Sequence, residues 1–465
     1  MLNYSVAELR LLLSALGLLT CASAFATTDN QTYEPVNGIK AVNVWTIDRV
    51  HNPETYASMP FVNTYARTAT LYNDVVYVSR SDAQSVIIGT DTIPQSVIYR
   101  LDAKTGNLLS SLPLTLDGKP YGGLLSANSI GFDNFGHMWV MPYCSGAATA
   151  TEAHLYSCDP NTGALTLVAT LPLGDVVSRI DYFDVIGDIT RVNAPCNIKA
   201  PGSQVTTIYS WTCAKGSNTW EGGFEGDTYM DITEFFPATA AQWGYAPMIK
   251  QILGEDEDTK YNGELFYIDG FNSTPAIYDM TGSKIDDFEK VDASLWPENG
   301  TNGVNEFTLD GRNFMVYSKA QYSGDGHGCQ VNVVELGEGM SLSGMKKYWQ
   351  LPADSLGKTS DGGTRIHSIA VQYGTEGGEP SVTLLTYKNY NGLAIYKIGK
   401  GVSGGTTTKG DINGDGTINV TDVTALVNKI LGSASYSDSV CDINGDGTVN
   451  VTDVTTLVNM ILGNK

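Results

Sequence analysis

Oxygen-bearing side chains recur at fixed spacing near the end of this 465-residue chain. Asp411, Asn413, Asp415, Thr417, Asn419 and Asp422 occupy positions 1, 3, 5, 7, 9 and 12 of one twelve-residue stretch. Asp442, Asn444, Asp446, Thr448, Asn450 and Asp453 occupy the same positions of a second. Gly416 and Gly447 stand at position 6, where a loop of this kind turns sharply. Hard oxygens at this spacing, with no His or Cys among them, suit Ca²⁺ better than a transition metal, one ion per loop.

Each loop opens a 22-residue unit, residues 411–432 and 442–463, and the two copies are identical at 19 positions. Val423, Leu426, Val427, Ile430 and Leu431 follow the first loop at helical spacing, as Val454, Leu457, Val458, Ile461 and Leu462 follow the second. Gly432 and Gly463 stand where a helix end favours a left-handed residue. The segments ahead of the loops, GVSGGTTTKG and SASYSDSVC, are poor helix formers, so each unit reads as a loop with a single exiting helix. Helices of about ten residues are marginal alone. The two apolar stripes are therefore expected to pack together, with metal binding contributing much of the folding free energy.

This duplicated unit resembles the type I dockerins, the calcium-dependent modules that attach secreted proteins of polysaccharide-degrading bacteria to a cohesin. Asp at position 12, unusual for an EF-hand, fits that family. The resemblance implies two Ca²⁺ ions, a cohesin-type partner and a setting of polysaccharide capture or breakdown. It also implies that loop positions 10 and 11, here Val420 with Thr421 and Val451 with Thr452, meet the partner together with Asn428 and Asn459 on the outward helix face. The Val-Thr pair departs from the more familiar Ser-Thr and bears on which cohesin would fit. Two near-identical copies would present the same face after a half-turn.

Elsewhere, chemistry-bearing residues are scattered. Asp181, Asp184, Asp188, Glu306 and Asp310 fall near predicted strand ends, but nothing in their spacing fixes the carboxylate pair that glycoside hydrolysis generally needs. Segments entering five predicted innermost strands bring Arg67, Asn128, Arg179, Asn305 and either Arg365 or His367 toward one axis. Three arginines there suit a carboxylate, such as that of an acidic sugar. No G-x-S-x-G, P-loop or HExxH motif occurs.

The elements that position these residues read as all-β. Strands marked by Tyr99, Tyr156, Tyr209, Tyr278, Val334 and Tyr396 recur at intervals of 53 to 69 residues. Each has an upstream hairpin partner, the third, DYFDVIGDITR, being the least clean. A long period in strand-and-turn sequence predicts blades. Six four-stranded blades fit, and the strand VNVWTID (residues 42–48) either closes the ring in the last blade or marks a seventh. The segment Asp133-Asn134-Phe135-Gly136-His137-Met138-Trp139 carries the Asp, Gly and aromatic pattern of several β-propeller families. The region resembles β-propellers in general, without pointing to one characterised family. The expected architecture is thus a six-bladed, alternatively seven-bladed, β-propeller followed by a small α-helical calcium-binding module. An insertion over residues 224–260 is expected to hold a short helix at 240–253 and the acidic run Glu255 to Asp258.

Residues 1–26 read as a signal peptide: an apolar run from Leu11 to Leu19 precedes small residues suited to cleavage. Leu18-Leu19-Thr20-Cys21 alternatively resembles a loose lipoprotein box, with lipid on Cys21. Either way the mature protein is expected to be secreted or held at the cell surface. Beyond that come the propeller (27–398), a flexible Gly/Ser/Thr-rich linker (399–409) and the calcium module (410–465). Twenty-eight basic against 50 acidic residues argue against nucleic acid and anionic membranes as partners, and no downstream stretch is apolar enough to span a bilayer. Cys144 with Cys158, and Cys196 with Cys213, are close enough in sequence to bridge neighbouring strands, free buried thiols being the alternative. The propeller reads as a non-catalytic glycan- or protein-binding surface, or as a hydrolase or lyase acting on O-glycosyl bonds at the channel mouth. A carboxylate pair across that mouth would favour the enzyme.

Overall fold

The computed structural model describes residues 28–29, 31, 33–62, 66–88, 91–123, 125–144, 152–173, 179–203, 207–222, 230–231, 243–244, 246–271, 273–297, 302–320, 329–357, 366–402, 409–412, 418–431, 436 and 438–463. The chain divides into two compact units, one spanning residues 26–406 and one containing residues 407–465.

Six sheets build the larger unit, antiparallel except where Thr115–Leu116 adds parallel to Ala164–Pro172 in the second. Their innermost strands are Ala66–Tyr72, Ser129–Phe132, Asp184–Gly187, Met248–Ile252, Val304–Leu309 and His367–Glu376, which open blades 1 to 6 in chain order. All six periodic markers fall on the third strand of their blades: Asp91–Asp102, Glu152–Cys158, Thr207–Cys213, Ser273–Asp279, Gln330–Glu335 and Gly392–Gly399. Those six side chains are buried. The architecture is a six-bladed β-propeller. The seventh-blade alternative falls, because the strand Lys40–Asp48 pairs with Gly392–Gly399 as the outermost strand of blade 6. Ring closure therefore joins the beginning of the propeller to its end. Trp45 reinforces it, buried and donating from Nε1 to the Ala103 carbonyl of blade 1 at 2.8 Å.

Two expectations are corrected. The helix expected at 240–253 is, over Met248–Ile252, the innermost strand of blade 4, and residues 240–242 and 245 lie outside the described residues. Met248, Ile249, Gln251 and Ile252 are all buried, since an innermost strand is covered on both faces and loses the alternation that identifies a strand. In blade 3, Asp184–Gly187 within DYFDVIGDITR is the innermost strand, and Cys196–Pro201 is the second.

The core lies between blades. One cluster joins Trp139, Leu155 and Leu171 of blade 2 to Ile198, Tyr209 and Trp211 of blade 3, and another joins Phe314, Val331 and Val333 of blade 5 to Leu384, Tyr396 and Ile398 of blade 6. Hairpins after the innermost strands of blades 1, 5 and 6 turn on Asn73-Asp74, Asp310-Gly311 and Gly377-Gly378, each pair with positive φ. Turns of this hand match the twist of the strands they join.

In the smaller unit, the helices Val420–Ile430 and Val451–Ile461 pack around Ala425, Leu426 and Leu457, with Ile412, Val440, Cys441 and Ile443 completing the core. A single helical turn, Asp438–Cys441, precedes the second loop. No helix among the described residues is long and apolar enough to cross a membrane.

Candidate functional sites

The second loop of the tail is described throughout, and its carboxylates turn inward. Asp442 Oδ1 accepts from the backbone N–H of Gly445 at 2.7 Å and of Asp446 at 3.1 Å, and its Oδ2 from Gly447 at 3.0 Å. The Asn444 N–H donates to Asp453 Oδ1 at 3.0 Å, and its Nδ2 to Asp446 Oδ2 at 2.9 Å. Bonds from the Thr448 hydroxyl and N–H hold the Asp446 carboxyl below the usual carboxylate range. Asp442, Asp446 and Asp453 thus each bond within one small loop, to backbone N–H groups, an asparagine amide and a threonine hydroxyl. Such an all-oxygen set fits Ca²⁺, whose charge offsets the repulsion between the carboxylates.

In the first loop, Asn413, Asp415 and Thr417 lie outside the described residues; Asp411 and Asp422 are buried. Asn419 and Asn450, expected as position-9 ligands, serve as helix N-caps, their side chains accepting from the N–H groups of Thr421 and Thr452 at 2.8 Å. Asp422 and Asp453 complete capping boxes by accepting from the N–H groups of Asn419 and Asn450 at 2.9 Å. The expected stripes divide: Leu426 and Leu457 are core, whereas Leu431 and Leu462 are 73 % and 66 % exposed. Val420 and Val451 are exposed to a similar degree, and Gly463 takes the expected left-handed conformation.

At the entry ends of the propeller's innermost strands, Arg67 Nε donates to Asn128 Oδ1 at 2.8 Å, and its Nη2 lies 3.5 Å from Asp181 Oδ1. Arg179 Nε donates to Asp181 Oδ2 at 2.8 Å. Arg67, Asn128 and Arg179 do come together, but around the chain's own Asp181. Asn305 is a clip between blades, donating to the Ile369 carbonyl at 2.8 Å. Arg365 lies outside the described residues. His367 is fully buried between the Ser318 and Thr386 hydroxyls, and burial pushes its pKa down to about 3.

Asp133 organises the hairpin of the Asp-Gly-aromatic segment. Its Oδ1 accepts from the Phe135 and His137 N–H groups, and its Oδ2 from Ile189 of blade 3 at 2.9 Å. His137 Nδ1 lies 3.0 Å from Asp133 and 3.2 Å from Asp188, a polar clip between blades 2 and 3. Asp310 lies in a turn, 2.7 Å from Lys400 Nζ. The six described cysteines are buried; Cys144 and Cys158 are free thiols, as are Cys196 and Cys213, which face each other across paired strands.

A central channel of about 430 Å³ is lined by all six innermost strands. It holds two of the five sequence-predicted carboxylates, Asp184 and Glu306, together with Lys250 and Tyr373. Lys250 Nζ is 3.4 Å from Asp184 Oδ1, while Asp184 Oδ2 accepts from the Gln251 N–H at 2.9 Å. Glu306 Oε2 is shut off from solvent, and the Tyr267 phenol lies beside the carboxyl. Burial pushes the Glu306 carboxyl up to about 7, against the opposing charge of Lys250 and a hydrogen bond from the Tyr267 phenol, with Asp184 adding to the rise. The Tyr373 ring is exposed, its hydroxyl fixed by the Thr308 N–H at 3.0 Å. Sequence reasoning passed over Lys250, which lies in the segment read as a helix. It passed over Tyr373 too, whose only signal was its place in the strand following Ile366.

No curated protein sequence matches this chain. Among solved structures, a DUF4623 family protein from Bacteroides eggerthii is similar at a TM-score of 0.50 and 12 % identity, over 79 % of this chain and 77 % of that one. An α-L-arabinofuranosidase from Fusarium graminearum is similar at a TM-score of 0.38 and 10 % identity, over 73 % and 95 %. The first of these likenesses speaks to the fold alone. Residues 409–462 match the family model of the dockerin type I domain. The chain is a six-bladed β-propeller that carries a C-terminal type I dockerin domain.

Proposed function

We propose that this protein is an extracytoplasmic component of polysaccharide utilisation, docked through its tail to a cohesin-type partner while its propeller binds glycan or protein without catalysis. The observation that carries the docking is the exposure of Val420 and Val451 beside the capped starts of two near-identical helices. Apolar side chains held out at a rigid helix start form a natural anchor for a partner surface. Thr421, Thr452, Asn428 and Asn459 supply polar contacts around them, and the two copies offer two equivalent faces. Two Ca²⁺ ions, held by Asp411, Asn413, Asp415, Thr417, Asn419 and Asp422 and by Asp442, Asn444, Asp446, Thr448, Asn450 and Asp453, would fix the loops, with Asn419 and Asn450 also capping the helices that leave them. Residues 1–26 serve export, through signal cleavage or lipidation at Cys21, and residues 399–409 link the two units.

The test is titration calorimetry of the full chain against a panel of type I cohesins, with Ca²⁺ and with EDTA. Nanomolar to micromolar binding that EDTA abolishes is expected. Equal binding in EDTA, or none to any cohesin, would count against calcium-dependent docking. A second reading, a hydrolase or lyase acting on O-glycosyl bonds, is favoured by Asp184 and Glu306 lining one channel. Turnover of a polysaccharide by the wild type, lost in Glu306→Gln, would establish it in place of the binding role.

A further inference from the structure

Three features converge in the central channel. Glu306 lines a cavity of about 430 Å³, its Oε2 enclosed beside the Tyr267 phenol. The groups facing Glu306 are Lys250 and the Tyr267 phenol from blade 4, Asp184 from blade 3 and Tyr373 from blade 6. Lys250 and Asp184 already pair, so the channel offers both a donor and an acceptor while adding no net charge from that pair. At its mouth, Tyr373 is 61 % exposed, a flat apolar face held in place by its own hydroxyl.

We propose that the channel binds one residue of a neutral glycan, with the Glu306 carboxyl donating to a sugar oxygen, Lys250 and Asp184 meeting further hydroxyls, and Tyr373 covering a ring face. This deepens the glycan-binding reading above and rests on it. Cavities of this size take a drug-sized or sugar-sized ligand, with a few polar groups fixing its orientation. Sugar hydroxyls are both donors and acceptors, which suits this mixed set, and a pyranose presents the apolar C–H face that an exposed tyrosine covers. A uronic acid fits poorly. Arg67 and Arg179, the cations nearest to expectation for an acidic sugar, are committed to Asp181, and the chain carries a net charge of −22. Lys250 is committed to Asp184 in the same way.

Because the acid form of Glu306 is the donor, binding should weaken as that form is lost. With a carboxyl that titrates at about 7, affinity should fall roughly 30-fold between pH 6 and pH 8.5 if only the protonated form binds. The experiment is calorimetry on the full chain with xylo-, manno-, cello- and galacto-oligosaccharides and with oligogalacturonate, at pH 6, 7 and 8.5, for wild type, Glu306→Gln and Tyr373→Ala. The expected result is binding of a neutral oligosaccharide that weakens with rising pH, becomes flat with pH in Glu306→Gln, and drops at least tenfold in the exposed-site variant Tyr373→Ala. Preferred binding of oligogalacturonate, or neutral binding indifferent to pH and to both substitutions, overturns the channel assignment while leaving glycan binding in place. Binding of none of these glycans at any pH removes the glycan-binding reading as well.

Discussion

Replacing Glu306 with glutamine removes a titrating proton while keeping the size and polarity of the side chain. Burial raises this carboxyl from an ordinary 4.5 to about 7. Between those values the folded chain keeps a proton that the unfolded chain has released, so the wild type loses stability as pH rises through that window. A shift of about 2.5 units corresponds to roughly 3 kcal/mol. Glu306→Gln has no such proton to lose. Relative to wild type it should therefore gain about 3 kcal/mol on going from pH 4 to pH 8. For a propeller of about 370 residues, unfolding entropy per residue converts this into roughly 4 °C of melting temperature. Differential scanning calorimetry of both proteins at pH 4, 6 and 8, in constant calcium, reads the difference directly. A gap between the two melting temperatures that stays constant across this range would refute the placement of a protonated carboxyl in the channel.

Other perturbations read other parts of the molecule. In the isolated fragment 408–465, helical circular dichroism should appear on adding Ca²⁺ and vanish with EDTA; equal helicity without calcium would sink metal-driven folding. Asp453→Ala removes both an inward carboxylate oxygen and a capping-box acceptor, so calcium affinity of the second loop should fall at least tenfold by titration calorimetry. A single Val420→Asp or Val451→Asp should leave cohesin binding within a few fold, because the other copy still offers its face, whereas the double variant should abolish it in a pull-down. His367 is held neutral down to about pH 3, whereas in the unfolded chain it takes a proton below about 6.5. Its contribution is therefore present above pH 6.5 and lost as pH falls, and His367→Gln should move the acid-unfolding midpoint to lower pH by circular dichroism.

Legibility in the sequence followed physical locality. The third strands of the blades were readable because each carries a buried aromatic or β-branched marker at regular intervals, and a repeat of that length survives variation in its loops. The inner strand of blade 4 was not readable. MIKQI is buried along almost its whole length, so no alternation marks it, and it places Lys250 where only the closed ring gives that side chain a meaning. Asp184 and Glu306 were visible as carboxylates near strand ends, yet they are separated by 122 positions of sequence and share a channel only because all six inner strands surround it. The arginines show the converse. The convergence of Arg67 and Arg179 was legible, while their partner was not: Asp181, two residues beyond Arg179, pairs with both.

The tail's family was readable because its repeat is local, and the structure gives a reason for Asp at position 12. Asp453 is the third residue of its helix and shares its two oxygens between the start of that helix and the loop: Oδ2 accepts from Asn450 and Oδ1 from Asn444. The shorter aspartate reaches both from the first turn while remaining fully buried. The same carboxylate thereby caps the helix and points into the all-oxygen loop, so ordering the loop and starting the helix are one event. Asp442, Asp446 and Asp453 would hold the ion, and through the capping box of Asp453 a bound ion would also steady the helix start that carries Val451 and Thr452. If docking depends on calcium as proposed, no contact between ion and partner would be needed: carboxylate repulsion in the empty loop would loosen the cap, and with it the direction of Val451.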